Sequence, residues 1–294
     1  KVDRVIEIGT PHDDPDVSII VPLYRVLGFL RAQVGAFACD DWVARYCELV
    51  FVLDSPEQAE ECEHLLRGLH ILYGIPMRLV VMTRNGGYAR ACNAGAEQAH
   101  GHFLAMLNSD VIPHTPGWAQ GMAAKLGGAD EVAVVGPKLL FEDGSIQHAG
   151  MYFARNESGK WLNYHYHKGM PDQFKDANIE RSVPGVTGAC MMIHRDAFEA
   201  VGGFTEDYVI GDYEDSDLCL KIRKADFDIK YVPDVSLYHF ERKSISTHVD
   251  YMRGVAAEYN AWLHAARWGD ALEDIHTNGV PQYRSQKTTD GEAA

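Results

Sequence analysis

Two acidic sites, far apart in the chain, carry the side chains best suited to chemistry. Asn108-Ser109-Asp110 directly follows the apolar run Phe103-Leu104-Ala105-Met106-Leu107, and Glu214-Asp215 opens a helix-like stretch after Gly202-Gly203-Phe204. A carboxylate at the end of a buried strand can hold a cation against a diphosphate. A second carboxylate across a cleft can take a proton from a hydroxyl. Together they point to sugar transfer from an activated nucleotide donor. Both sites also have a plain structural explanation. Asn, Ser and Asp after a strand make turns. Carboxylates in the first turn of a helix complement its dipole, as Lys221, Arg223 and Lys224 do at the other end. The same dipole would keep Asp215 ionised, as a base must be.

Three further features belong to the same argument. Asp54 closes the run Glu48-Leu49-Val50-Phe51-Val52-Leu53 and either faces a nucleotide or caps the helix after Ser55-Pro56. His239 follows Val235-Ser236-Leu237-Tyr238 and either completes a metal site with Asp110 or is a satisfied structural histidine. Asn85-Gly86-Gly87-Tyr88 enters a helix, and glycines there let backbone approach a ligand. It is not a G-x-G-x-x-G fingerprint, and the chain has no G-x-x-x-x-G-K-[ST] loop. The tryptophans and tyrosines of the last helical stretch read as core.

These residues need a scaffold. Val17–Pro22, Glu48–Leu53, Met77–Met82 and Phe103–Leu107 read as buried strands. Helical stretches at about 27–37, after Ser55-Pro56 and at 88–99 alternate with them, which predicts a parallel sheet with right-handed crossovers. After residue 130 the pattern changes. Strands are expected at 132–135, 137–141, 146–153 and 186–194, with an Asp143-Gly144 turn between the second and third. Helices are expected over 215–225 and 249–268. Residues 1–16 read as a polar lead-in, 154–184 as a long aromatic loop of functional character, and 277–294 as a polar tail without ordered structure.

The chain of 294 residues is long enough for one large or two small domains. Its net charge of −15 argues against nucleic-acid binding and a polybasic membrane anchor. A phosphorylated ligand then needs a metal to supply positive charge. The six cysteines form no C-x-x-C pair, which argues against a zinc site and fits a reducing, cytoplasmic setting. No apolar run approaches the ~20 residues of a membrane span. Peripheral contact with the inner face of a membrane stays open.

Taken in order, the motifs resemble inverting family 2 glycosyltransferases of the GT-A fold. The matching pieces are Val17–Tyr24, Asp54, Asn85-x-Gly87-Tyr88-Ala89-x-Ala91-x-Asn93-x-Gly95, Leu107-Asn108-Ser109-Asp110, Val186–Ile193, Val201-Gly202-Gly203-Phe204 and Tyr213–Leu220. The resemblance implies an α/β architecture over 17–245. A Rossmann-like nucleotide-sugar half (17–130) would be joined to an acceptor-binding and catalytic half (131–245), followed by a C-terminal helical segment at 246–276. It implies that Pro22, Tyr24, Asp54, Asn85, Asn108 and Asp110 bind the nucleotide sugar, and that Asp110 and His239 hold Mn²⁺ or Mg²⁺. Asp215 would be the base, with Glu214 beside it and Thr187, Gly188 and Glu214 on the acceptor. The donor would be a nucleotide-diphosphate sugar and the acceptor a saccharide or lipid-linked glycan, as in bacterial-type surface polysaccharide synthesis.

Two positions depart from the pattern. Asn108 replaces the first Asp of the D-x-D motif, leaving less charge on the metal. Asp226 stands where glycine is common in the family. The competing reading is a non-catalytic module of a larger synthase that binds nucleotide sugar or glycan. The aromatic loop 154–184 is expected to cover the acceptor site.

Overall fold

The computed structural model describes residues 1–128, 131–240 and 254–280. Among these, eleven strands form one sheet, with the path β1-β4-β3-β2-β5-β12-β7-β13-β11 and β6 and β8 attached to its far half. The middle of the nucleotide half is parallel: β2 (Val17–Leu23) lies between β3 (Cys47–Leu53) and β5 (Phe103–Leu107), and β4 (Met77–Met82) flanks β3. Their β-branched runs are buried on both faces, as a sheet covered by helices requires. Successive side chains alternate between two cores. Val17, Ile19, Val21 and Leu23 join the core under α1 (Leu30–Ala38), α2 (Asp41–Tyr46), α3 (Ala59–Tyr73) and α5 (Trp118–Leu126). Ile20, Val50 and Val52 join the core under α4 (Tyr88–Glu97), α6 (Arg195–Ala200) and α7 (Glu214–Lys224). Helix α4 reaches the sheet through Gly95: a Cβ there would stand 2.5 Å from Ile20 Cγ2.

The second half does not form a separate layer. β12 (Cys190–His194) pairs antiparallel with β5 and with β7 (Val132–Leu140), and β7 pairs parallel with β13 (Asp228–His239). The short strands β6 (Val111–Pro113) and β8 (Ile146–His148) pair with β13 and β7. β9 (Met151–Arg155) and β10 (Trp161–His165) form a hairpin of their own, and the pair β11 (Arg181–Ser182) edges β13. The last helix, α8 (Val255–Asn278), packs on α7 and on the hairpin.

Several sequence expectations change. The lead-in contains an edge strand, β1 (Val2–Ile8), antiparallel to β4. It is fastened by Arg78, whose guanidinium bonds Glu7 at 2.6 Å and Glu48 at 2.9 Å. Ser55-Pro56 opens a 3₁₀ turn (Pro56–Gln58) before α3, and the Ser55 hydroxyl reaches the Gln58 side chain rather than capping backbone. The strands expected at 132–135 and 137–141 are one strand. The strand expected at 146–153 breaks at Gly150, and the one at 186–194 begins only at Cys190. The 154–184 loop carries β10 and β11. The last helix, read to about Trp268, continues to Asn278. Its start at 249 and the tail from 281 lie outside the described residues. Tyr259 and Trp262 are exposed rather than core. Asp226 adopts a left-handed φ of 63°, which explains why glycine suits that position and aspartate is tolerated.

Candidate active site

The carboxyl ends of β2, β3 and β5 open onto a cavity of about 440 Å³. Every site residue read from the sequence lines it: Pro22, Tyr24, Asp54, Asn85, Asn108, Asp110, Thr187, Gly188, Glu214, Asp215 and His239.

On the donor side, Asp54 is buried, and its two carboxylate oxygens accept the backbone N–H groups of Gly86 (2.7 Å) and Gly87 (2.8 Å). It thereby shapes the glycine turn instead of capping α3. Burial raises its pKa to about 6, against the pull of those two N–H groups. Asn85 accepts from Gly87 N at 3.0 Å, closing the same turn.

Asp110 and His239 meet where β6 pairs with β13. The backbone of β6 follows Asp110, and β6 pairs with β13 so that Val111 lies opposite His239. His239 Nε2 stands 3.4 Å from Asp110 Oδ1. Its Nδ1 bonds Gln147 Oε1 at 2.6 Å. A carboxamide oxygen only accepts, so Nδ1 carries a proton, and in the neutral imidazole Nε2 presents its lone pair toward Asp110. A carboxylate and an imidazole lone pair suit a divalent cation that takes its remaining ligands from phosphate and water. Among the described residues no cluster of three or more His, Cys, Asp or Glu side chains could hold a metal by itself, in keeping with Asn at 108.

Across the cavity, Tyr213 takes a left-handed φ of 74° and starts α7. Asp215 accepts from Gly188 N (2.9 Å) and from its own neighbour Ser216 N (2.7 Å). Burial raises its pKa, opposed by these N–H groups and by Thr187. The helix dipole favours an ionised Asp215, and burial acts against it. Glu214 is pushed well above the ordinary range, first by burial and then by the charge of Asp215. Its Oε2 has no protein partner among the described residues.

Residues outside the expected site set complete the walls. Tyr88 donates its hydroxyl to Gly188 O at 2.6 Å, and Gln147 orients His239. The β9–β10 hairpin contributes Asn163 and His165, and Lys168 follows from the adjoining turn. Only the density of aromatic and histidine residues in 161–167 pointed to this wall. His165 Nδ1 lies 2.7 Å from His148 Nδ1, and burial lowers the pKa of His165 to about 4.

Comparison with known proteins decides the family. The description "Glycosyl transferase family 2" matches residues 18–202, and "N-terminal domain of galactosyltransferase" matches residues 169–243. The chain belongs to glycosyl transferase family 2. An uncharacterized protein y4gI of Sinorhizobium fredii is 32% identical over 232 residues, covering 78% of this chain and 25% of that protein. The O-antigen biosynthesis protein RfbC of Myxococcus xanthus is 28% identical over 256 residues, covering 85% of this chain and 19% of that protein. The chain thus spans a quarter or less of the length of these relatives. A solved mannosyltransferase, PcManGT from Pyrobaculum calidifontis in complex with GDP-Man and Mn²⁺, superposes with a TM-score of 0.61 at 17% identity, covering 92% of this chain and 73% of that one. This family 2 glycosyltransferase therefore has the GT-A fold. Among the described residues no helix is long and apolar enough to cross a membrane.

Proposed function

We propose that this glycosyltransferase chain moves a sugar, with inversion, from a nucleotide-diphosphate sugar to a hydroxyl of a saccharide or lipid-linked glycan. The observation that carries the reading is the opposition, across one cavity, of the Asp110–His239 pair and the Glu214–Asp215 pair. The nucleotide lies on the Pro22–Tyr24 strand end and the turn held by Asp54. The diphosphate lies at Asp110 and His239, where a bound Mn²⁺ or Mg²⁺ would offset the charge growing on the leaving group. Asp215, held by Gly188 N and Ser216 N, takes the acceptor hydroxyl's proton. That oxygen bonds to the anomeric carbon as the bond to the diphosphate breaks, and the electron pair leaves with the diphosphate. A single displacement from the opposite face inverts the centre and needs no covalent sugar on the protein. Glu214, when protonated, can donate to an acceptor or sugar oxygen. The similarity to an O-antigen biosynthesis protein supports a role in surface polysaccharide synthesis.

The test is a thermal-shift series with nucleoside diphosphates, with and without Mn²⁺, on wild type and Asp110→Ala. Binding stabilises by mass action, about 2.7 kcal/mol at a hundredfold excess over Kd. A Mn²⁺-dependent rise with one nucleotide, lost in Asp110→Ala, is expected. No rise with any nucleotide would sink the donor-site reading.

A further inference from the structure

Helix α8 begins beyond both matched regions, which end at residues 202 and 243. Its buried face, apolar at Ala256 and Leu272, turns polar between them, where a packing helix is ordinarily apolar. Asn260, His264 and Trp268 recur every four residues and so form one stripe. His264 Nε2 lies 3.0 Å from Ser216 Oγ, and Trp268 Nε1 donates to Asp217 Oδ1 at 2.8 Å. Asn260 is 0% exposed and binds only main chain. Its Oδ1 accepts from Val209 N at 2.9 Å. Its Nδ2 faces the carbonyls of Val209 (3.0 Å), Gly211 (2.7 Å) and Asp212 (3.3 Å).

The segment it grips is strained. Ile210, Asp212 and Tyr213 have φ of 68°, 77° and 74°. Left-handed backbone is uphill for residues with a Cβ, most of all for a β-branched one, and it persists only where surroundings over-determine it. This strip lines the cavity and runs directly into Glu214 and Asp215. At its other end Ile210 O accepts from Tyr88 N at 3.1 Å, beside the donor-side turn.

We propose that Asn260 is a positioning residue: its buried amide holds the left-handed strip Ile210–Tyr213 in the conformation that seats Glu214 and Asp215 at the cavity wall. Its catalytic part rests on the reading of Asp215 as the base; its structural part does not. Four proteins test it: wild type, Asn260→Ala, Asn260→Asp and Leu272→Ala. Asn260→Asp keeps the size and the acceptor for Val209 N but sets a second oxygen against three carbonyls. Leu272 is fully buried on the same helix, in a cluster with Phe153, Trp161 and Leu220, and serves as the folding control. Amide hydrogen exchange over 209–213, Tm, nucleotide affinity with Mn²⁺, kcat and acceptor KM are measured on each. Both Asn260 variants should exchange faster over 209–213 and lose at least tenfold in kcat, with nucleotide affinity within threefold of wild type. Leu272→Ala should lower Tm but leave kcat per folded molecule within twofold. If Asn260→Ala does not fold, Asn260→Asp is decisive. Unchanged exchange over 209–213, or a kcat loss matching only the unfolded fraction, overturns the proposal. Faster exchange alongside a wild type without turnover would support the grip while refuting the base assignment.

Discussion

Replacing Gly188 by alanine places a methyl group beside Asp215, the proposed base. The added Cβ would stand 2.9 Å from the Tyr88 hydroxyl and 3.3 Å from both Asp215 Cβ and Tyr88 Cε1. Ordinary contact begins near 3.4 Å, so Tyr88 must withdraw by roughly 0.5 Å. It has little room: its ring packs edge-on against Phe204 at 5.6 Å, and its hydroxyl is bonded to Gly188 O. Overpacking of this kind costs about 1–3 kcal/mol. Loss of the tyrosine bond adds about 1 kcal/mol. The sum of roughly 2–4 kcal/mol corresponds to a Tm lower by roughly 3–8 °C in a chain of this size. Catalysis should suffer separately, because Asp215 takes part of the push. Asp215 is bonded to Gly188 N, so if the Gly188 backbone rather than Tyr88 gives way by roughly 0.5 Å the carboxylate moves with it, and at about a hundredfold per 1 Å that predicts a kcat lower by about tenfold. The reference is Gly68→Ala, within α3, whose Cβ meets nothing within 4 Å. It should raise stability by about 0.5–1 kcal/mol and leave turnover alone. Steady-state kinetics with calorimetry on the two variants settles the matter. A Gly188→Ala protein with wild-type kcat and Tm would show that the glycine is not needed for close approach.

Two titrations follow from the same site. Glu214 and Asp215 both have raised pKa values, burial being the first cause. The folded protein therefore keeps protons that the unfolded chain releases, and this pair's contribution to stability falls as pH rises through the raised values. Glu214→Gln should accordingly unfold at higher urea concentration than wild type above that window and match it well below, as urea midpoints against pH would reveal. Activity runs the other way, since the base form of Asp215 accumulates as pH rises. Asp54, raised to about 6, should make nucleotide binding weaken as pH falls from 7.5 to 5. Asp54→Asn loses one of the two N–H acceptors and should bind about tenfold more weakly at pH 7.5, with little pH dependence left. Titration calorimetry at the two pH values checks this; equal affinities for variant and wild type would remove Asp54 from the donor site.

The sequence made much of the fold legible where period and burial coincide. β4 and β5 begin and end where the apolar runs do, because those runs are buried on both faces and need no partner pattern to be seen. β1 was missed because an edge strand buries little: Ile8 is its only fully buried residue. β12 was read too long because Val186 and Ala189 are buried for a different reason, in irregular backbone that forms part of the cavity wall. The site was legible where a side chain sits at a strand end or helix start, as with Asp54, Asp110, Asp215 and His239. Gln147 and Asn260 act through contacts between elements distant in the chain, as does Tyr88, whose motif was visible but whose bond to Gly188 was not; no local spacing announces such partners.

The pairing of β13 carries one more consequence. Its register against β7 slips between Val232, opposite Pro137, and Ser236, opposite Lys138, so 233–235 form a bulge that begins at a proline. Beyond it the strand re-phases, and His239 turns toward Asp110. Side chains on a strand alternate strictly between faces. The approach of imidazole to carboxylate is therefore governed by parity. An even change in the number of bulged residues keeps the histidine beside the carboxylate, and an odd one turns it to the opposite side of the sheet. Length variation in 233–235 would act on the proposed cation site as an on–off step, not as a graded adjustment.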